Sequence, residues 1–250
     1  MPTPGLEITT GAAVILPNAA KLVMPGTLGS DLEFLHLLTD GVDTALRNWA
    51  EGKPSAISIG SPTAASGYLS LRSGTSYLQT GVIDVAGDVT MLVVGRDTGD
   101  KSADSARFCY VGSNNLLGIL TSSSSQTRLT MRATQDGGAT GTSTASLVAN
   151  PNGWACLIGT AFQTGVSSST ADDPTLYDMG AGTSGTANYN TPYARAPTGA
   201  AFTIGHWGAN QTGPGDIALA AAWSRVLSVS ERTQAYAWAK ALVATKGLSI

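Results

Sequence analysis

Through most of this chain, short runs rich in Thr, Val and Leu are closed every few residues by Gly, Ser, Asn or Asp. That rhythm suits sheets. Extended segments favour β-branched and aromatic residues, and each reversal needs a residue that tolerates turn geometry. From residue 56 onward the runs predict strands at Ala56–Ile59, Tyr68–Arg72, Tyr77–Gln79, Val89–Gly95, Arg107–Gly112, Leu116–Thr121 and Thr127–Arg132. Further strands are expected at Thr144–Ala149, Trp154–Gln163, Thr175–Met179, Phe202–Ile204 and Asp216–Trp223. Leu32–Leu38 suits a strand or a short helix, and periodicity does not decide between them. Residues 1–30 read as an irregular arm, with Val14–Leu16 and Lys21–Met24 as candidate strands. Thr134–Ser143 and Gly180–Ala196 are polar and rich in Gly and Thr, and read as long loops of the kind that often carry function.

A helical spacing is convincing only near the end. Ser228-Val229-Ser230-Glu231 has the spacing of a capping box, and Ala235, Trp238, Ala239, Leu242 and Val243 then fall on one helical face. Gly247 is a natural stop, so a helix is expected over 229–246. Its apolar face needs a partner, which implies a structural helix covering the edge or end of a sandwich.

With 250 residues and 42% hydrophobic residues, the chain can bury a substantial core. Residues 1–55 read as an arm and first strands packed on a main domain spanning 56–250. Charged residues make up 12%, against about 25% in an average chain. The net charge is −3 with no run of Lys or Arg, which argues against nucleic acid as a partner. No segment approaches the ~18 consecutive apolar residues of a membrane helix. No Lys or Arg precedes the apolar run Ala12–Leu16, so no signal peptide is expected. Cys109 and Cys156 read as buried thiols, with one disulfide as the alternative, and lack neighbouring histidines for a zinc site.

Several segments, taken in order, resemble a known family. Gly67-Tyr68-Leu69-Ser70-Leu71, Ser76-Tyr77-Leu78-Gln79-Thr80-Gly81 and Asp88-Val89-Thr90-Met91-Leu92-Val93-Val94 look like the opening strands of a laminin-G-like domain. Gly153-Trp154-Ala155-Cys156-Leu157-Ile158 is similar to that family's central Trp-bearing strand. Phe202-Thr203-Ile204-Gly205, Gly215-Asp216-Ile217 and Trp223-Ser224-Arg225-Val226-Leu227-Ser228 with Glu231 resemble its ending. The resemblance covers about residues 56–246. It implies an all-β, concanavalin A-like jelly-roll sandwich of two antiparallel sheets with one C-terminal helix. Leu46-Arg47-Asn48-Trp49, Gly52-Lys53-Pro54 and Gly60-Ser61-Pro62-Thr63 also look like stretches that open such domains in tailed-phage virion proteins.

Glycoside hydrolysis needs two carboxylates flanking the scissile bond. Hydrolases of this fold carry Glu-x-Asp-x-x-Glu on a strand, a pattern absent among Glu7, Glu33, Glu51 and Glu231. Asp31-Leu32-Glu33 is the nearest approach, in reverse order. His36 lies in an apolar run and reads as structural, and no Gly-x-Ser-x-Gly elbow supports a nucleophilic site with His206. The chain is therefore expected to be no enzyme.

Asp172, Asp173 and Asp178 form the densest acidic cluster, where calcium is the metal the resemblance implies and a solvated turn at Asp173-Pro174 the alternative. A looser group, Asp97, Asp100 and Asp104 beside Arg96 and Lys101, reads as mutual salt bridging. Sugar sites pair an aromatic face with amide or carboxylate groups. His206, Trp207, Asn210 and Gln211 supply that combination in one loop, and Tyr189 and Tyr193 in another, with Asn188 and Asn190 beside Tyr189. Packing on a sheet edge or in a subunit contact is the alternative for these aromatics. Trp49, Trp154, Trp223 and Trp238 read as core.

The expectation is a non-enzymatic bacteriophage virion protein, a tail, fibre or capsid-decorating component. Its lectin-like domain is expected to bind host-surface glycan or another virion protein. A secreted carbohydrate-binding module is the alternative, and a glycoside hydrolase is disfavoured. The low charge points to a homo-oligomer, a trimer by analogy with phage fibres.

Overall fold

The computed structural model describes residues 24–99, 107–114, 116–121, 126–135, 138, 140–147, 151, 153–165, 172–187, 192–208 and 211–250. In chain order the strands are β1 (Leu32–Leu37), β2 (Ile57–Ile59), β3 (Thr63–Ala65), β4 (Tyr68–Arg72), β5 (Tyr77–Ile83) and β6 (Val89–Asp97). They continue with β7 (Cys109–Ser113), β8 (Leu117–Thr121), β9 (Thr127–Gln135), β10 (Thr140–Ser146), β11 (Ala155–Ala161) and β12 (Thr164–Gly165). The last are β13 (Thr175–Asp178), β14 (Thr183–Thr186), β15 (Tyr193–Arg195), β16 (Ala201–Ile204) and β17 (Pro214–Trp223). A short helix α1 (Val42–Leu46) follows β1, and α2 (Val229–Ala244) closes the chain.

The strands form two antiparallel sheets. One runs β14-β13-β11-β6-β17-β4-β3, with β1 beside the second half of β17, and the other runs β12-β15-β9-β8-β7-β16-β5-β2, with β10 on β9. The expected two-sheet sandwich with a C-terminal helix is the fold observed. Alternation explains the outer strands: along β5, Leu78, Thr80 and Val82 turn inward while Gly81 and Ile83 stay exposed. The central strand β6 is buried on both faces over Val89–Gly95. Met91 and Val93 enter the core between the sheets, with Leu71, Ile119, Leu129 and Phe202. Leu92 and Val94 enter a second core on the opposite face, with Trp223, Trp238, Ala239 and Leu242. That second core is what α2 covers, so β6 loses the polar–apolar alternation of a half-exposed strand.

The corner from β17 into α2 explains the closing motif. Ser228 Oγ accepts from the Glu231 amide and Glu231 Oε2 accepts from the Ser228 amide, which is the expected capping box. Arg225 holds both Glu231 oxygens, at 2.9 and 2.7 Å, and Trp223 Nε1 donates to Leu28 O at 2.7 Å. Asp216 faces Arg96 across the β6–β17 pair, receives its Nε at 2.8 Å and accepts from Ser70 Oγ at 2.7 Å. The partner of Arg96 is thus Asp216; Asp100, Lys101 and Asp104 lie outside the described residues.

Several expectations change. Leu32–Leu38 resolves as strand β1, paired with β17. The segment Thr134–Ser143, expected as a loop, contains the end of β9 and the start of β10, which pair from Thr140↔Thr134 to Ser146↔Arg128. Gly180–Ala196 is not one loop either, because β14 and β15 lie within it. β14 fits there because Gly185 has no side chain: a Cβ would stand 1.8 Å from Ser146 O on β10. Trp223 and Trp238 are buried, whereas Trp49 and Trp154 are half-buried beneath Arg47 and Arg96. Cys109 and Cys156 are both buried and unbonded to each other. Val14–Leu16 and most of Lys21–Met24 lie outside the described residues.

Candidate functional site

The loop expected to bind sugar is built differently. Trp207 packs with Cys109 and Leu120 and is only 8% exposed. It fits because Gly118 leaves room: a Cβ there would stand 2.5 Å from the indole. Its ring is therefore no open platform for a pyranose. His206 stacks on Tyr77 with ring centroids 4.2 Å apart, and its Nδ1 accepts from the Gly74 amide at 3.0 Å. Partial burial lowers the His206 pKa. Gln211 is half-buried, its backbone N–H donating to Gly208 O at 3.1 Å. Tyr193 is 4% exposed, and its hydroxyl donates to Asp172 O at 2.6 Å. Asn188, Tyr189, Asn190 and Asn210 lie outside the described residues.

The acidic cluster is also dispersed. Asp172 and Asp173 precede β13 and Asp178 ends it, which sets Asp178 about 16 Å of extended chain away from Asp173. Asp178 Oδ1 accepts from the amides of Gly180 and Ala181, both at 3.1 Å, so it caps a turn. Among the described residues no group of three His, Cys, Asp or Glu gathers to hold a metal. Asp172, Asp173 and Asp178 therefore do not form one side-chain cluster.

A different surface has the chemistry of a binding site. The outer face of the first sheet, beyond α2, is exposed along β14 and borders β13 and β11, where Thr175 and Thr160 are buried. The strand register sets Thr160, Thr175 and Thr186 side by side, and in the next row Ile158, Tyr177 and Ser184. Because side chains alternate, both rows lie on one face. Thr175 Oγ1 stands 3.1 Å from Thr186 Oγ1 and also donates to Asp173 O at 3.0 Å. Thr160 Oγ1 donates to Thr175 O at 3.4 Å. Ser184 and Thr186 remain exposed at the sheet edge.

Arg232, in the first turn of α2, closes one side. Its guanidinium sits 4.4 Å from the centre of the Tyr177 ring, and its Nη1 donates to Leu227 O at 2.6 Å. With Phe162 these residues line a groove of about 520 Å³. That is within the size range of small-ligand sites, and it combines two aromatic rings with a row of hydroxyls and one cation. A smaller concavity of about 120 Å³ lies by Glu33, Asp84 and Asp88. Those carboxylates are engaged internally, with Lys53, with Arg195 and with the Gln163 amide respectively. Ser184 and Thr186 of the groove fall within Gly180–Ala196, but β14 was not recognisable there, and no local signal in the sequence marks the groove.

No protein-family model matches the chain, and a search of curated proteins finds no match. Solved structures do share its fold. The binding domain of botulinum neurotoxin DC in complex with SialylT superposes with a TM-score of 0.58 at 11% identity, covering 84% of this chain and 52% of that one. Trypanosoma rangeli sialidase in complex with sialic acid gives 0.54 at 11% identity, covering 92% of this chain and 36% of that one. The botulinum neurotoxin serotype C1 binding domain gives 0.56 at 9% identity, covering 83% and 52%. The chain spans about half the length of the neurotoxin chains and about a third of the sialidase. At these identities the likeness is one of fold, a two-sheet β-sandwich.

Proposed function

We propose that the chain is a non-enzymatic, lectin-like sandwich that binds saccharide in the groove between β14 and the start of α2, as a component of a bacteriophage tail, fibre or capsid decoration. The observation that carries the binding reading is the row of hydroxyls at Thr160, Thr175, Thr186 and Ser184 beside the ring of Tyr177. An aromatic face packs on the apolar side of a pyranose while hydroxyls and a guanidinium exchange hydrogen bonds with its rim. The neurotoxin domain in complex with SialylT and the sialidase in complex with sialic acid are fold neighbours consistent with it. The non-enzymatic reading rests on the carboxylates: Glu231 is held by Arg225 and the helix cap, and Glu33 by Lys53 and Ser224. The virion role rests on the resemblance of residues 46–63 to openings of tailed-phage virion domains.

A glycan array probed with the purified chain tests the binding reading. Tyr177→Ala should weaken any hit by about tenfold, the loss expected when a stacking ring is removed. Trp207→Phe should leave the hit in place. Absence of every hit, or hits indifferent to Tyr177→Ala, would contradict it.

Self-association belongs to the same proposal. Ile57, Ile83 and Val85 are exposed by 55, 47 and 62%, on or just beyond edge strand β2 and its neighbour β5. Exposed apolar groups at an unpaired sheet edge favour pairing with another chain. The solution mass at micromolar concentration should be a multiple of 25.4 kDa. Replacing Ile57 and Ile83 by Lys should return it to the monomer value, and a wild-type monomer would defeat this part.

A further inference from the structure

We infer that the saccharide taken by the groove carries a carboxylate, which Arg232 binds. This rests on the groove being the saccharide site and names the class of sugar.

Arg232 is the one charged residue among those lining the groove. No carboxylate among the described residues lies within ion-pair distance of it, although Arg96, Arg195 and Arg225 all have such partners. The neighbouring Glu231 is already held by Nη1 and Nη2 of Arg225. Only Nη1 of Arg232 is engaged, by Leu227 O, which leaves the rest of the guanidinium fork without a hydrogen-bond partner among the described residues.

Its position adds a second, independent reason. Arg232 lies in the first turn of a 16-residue helix, the end where the helix dipole disfavours a cation. A fixed cation against that dipole, in a chain of net charge −3, is a local conflict of the kind that marks a functional position. Stacking on Tyr177 at 4.4 Å holds the guanidinium plane at the groove wall. A carboxylate there would meet a planar donor pair held against an aromatic ring. The hydroxyl row of Thr175, Thr186 and Ser184 lies beside it for the neutral part of the ring.

The test uses matched probes: sialyllactose against lactose, and oligogalacturonate against its methyl ester. The two pairs separate a nonulosonic acid from a uronic acid as the source of the carboxylate. The wild-type chain should bind the acidic member of at least one pair about tenfold more tightly, with a preference that shrinks as salt rises. In Arg232→Gln the acidic and neutral members should bind alike, and Arg232→Lys should retain part of the preference. Esterification alters the probe alone, so that arm holds even where a variant fails to fold. Equal binding of both members by the wild type, or a preference surviving Arg232→Gln, would overturn the inference. Neutral sugars bound and lost in Tyr177→Ala would leave the groove standing and defeat only the acidic class. No binding of any probe would defeat the groove itself.

Discussion

Replacing Arg195 by methionine should destabilise the protein by about 3–5 kcal/mol, the usual consequence of breaking a buried ion pair on one side. The Arg195 and Asp84 side chains are 1% and 0% exposed, and their charged atoms lie 2.7 Å apart. Arg195 Nε also donates to Gly87 O at 3.0 Å, and its Nη2 to Val85 O. Asp84 Oδ2 accepts from the Thr198 amide at 2.8 Å, and Gln163 bridges Gly87 and Arg195 O. One guanidinium thus pins the segment after β5 to β15. Methionine would match much of the volume while leaving Asp84 buried without its countercharge. Adding Asp84→Leu should recover part of the loss, because an apolar pair in the same space strands no charge. Denaturant unfolding at pH 7 measures both variants. A loss below about 1 kcal/mol for the single variant would show that water reaches the pair.

The second large effect is acid sensitivity centred on His36. This residue is fully buried on β1, with Nδ1 donating to Ala45 O at 2.8 Å and the ring 5.8 Å from that of Phe34. Burial is the main cause that lowers its pKa from 6.5 to about 4, with the hydrogen bonds to Ala45 and Arg47 opposing the shift. The unfolded chain takes up this proton near pH 6.5, and the folded chain holds it off until about pH 4. Stability from this group is therefore complete above pH 6.5 and falls as the pH drops from there to 4. The drop is on the order of 3 kcal/mol by linkage. His206 is lowered as well and acts in the same direction. Unfolding free energies at pH 7 and pH 4.5 should differ markedly for the wild type and less for His36→Asn. A wild-type value flat across that window would contradict the assignment.

The architecture was largely legible because its signals are local. Tyr68–Arg72 alternates and became β4 with the expected bounds, and the capping box at Ser228 with its apolar stripe became α2. What escaped was set by distant partners. Thr183–Thr186 has three hydroxyls, one glycine and no apolar residue, so nothing in it announces a strand; pairing with β13 and room at Gly185 make it one. Trp207 reads as a sugar platform or as packing on the sheet edge, and the second holds: it packs on Cys109 and Leu120, with room left by Gly118. Asp172 and Asp173 precede β13 while Asp178 ends it, so the strand's length keeps the acidic residues from gathering. Thr160, Thr175 and Thr186 become neighbours only through register, which no single segment encodes. The fold was thus legible in local signals, whereas the groove proposed as the site depends on register between distant strands.

The central claim is that ligand sits on the outer face of the first sheet, beside α2. Amide chemical-shift mapping with a saccharide that binds the chain tests it most directly. Perturbations should cluster at Thr160, Thr175, Tyr177, Ser184, Thr186 and Arg232. A cluster at Gly74, Tyr77, His206 and Trp207 instead, with β13 and β14 unmoved, would place the site on the opposite sheet and contradict the account.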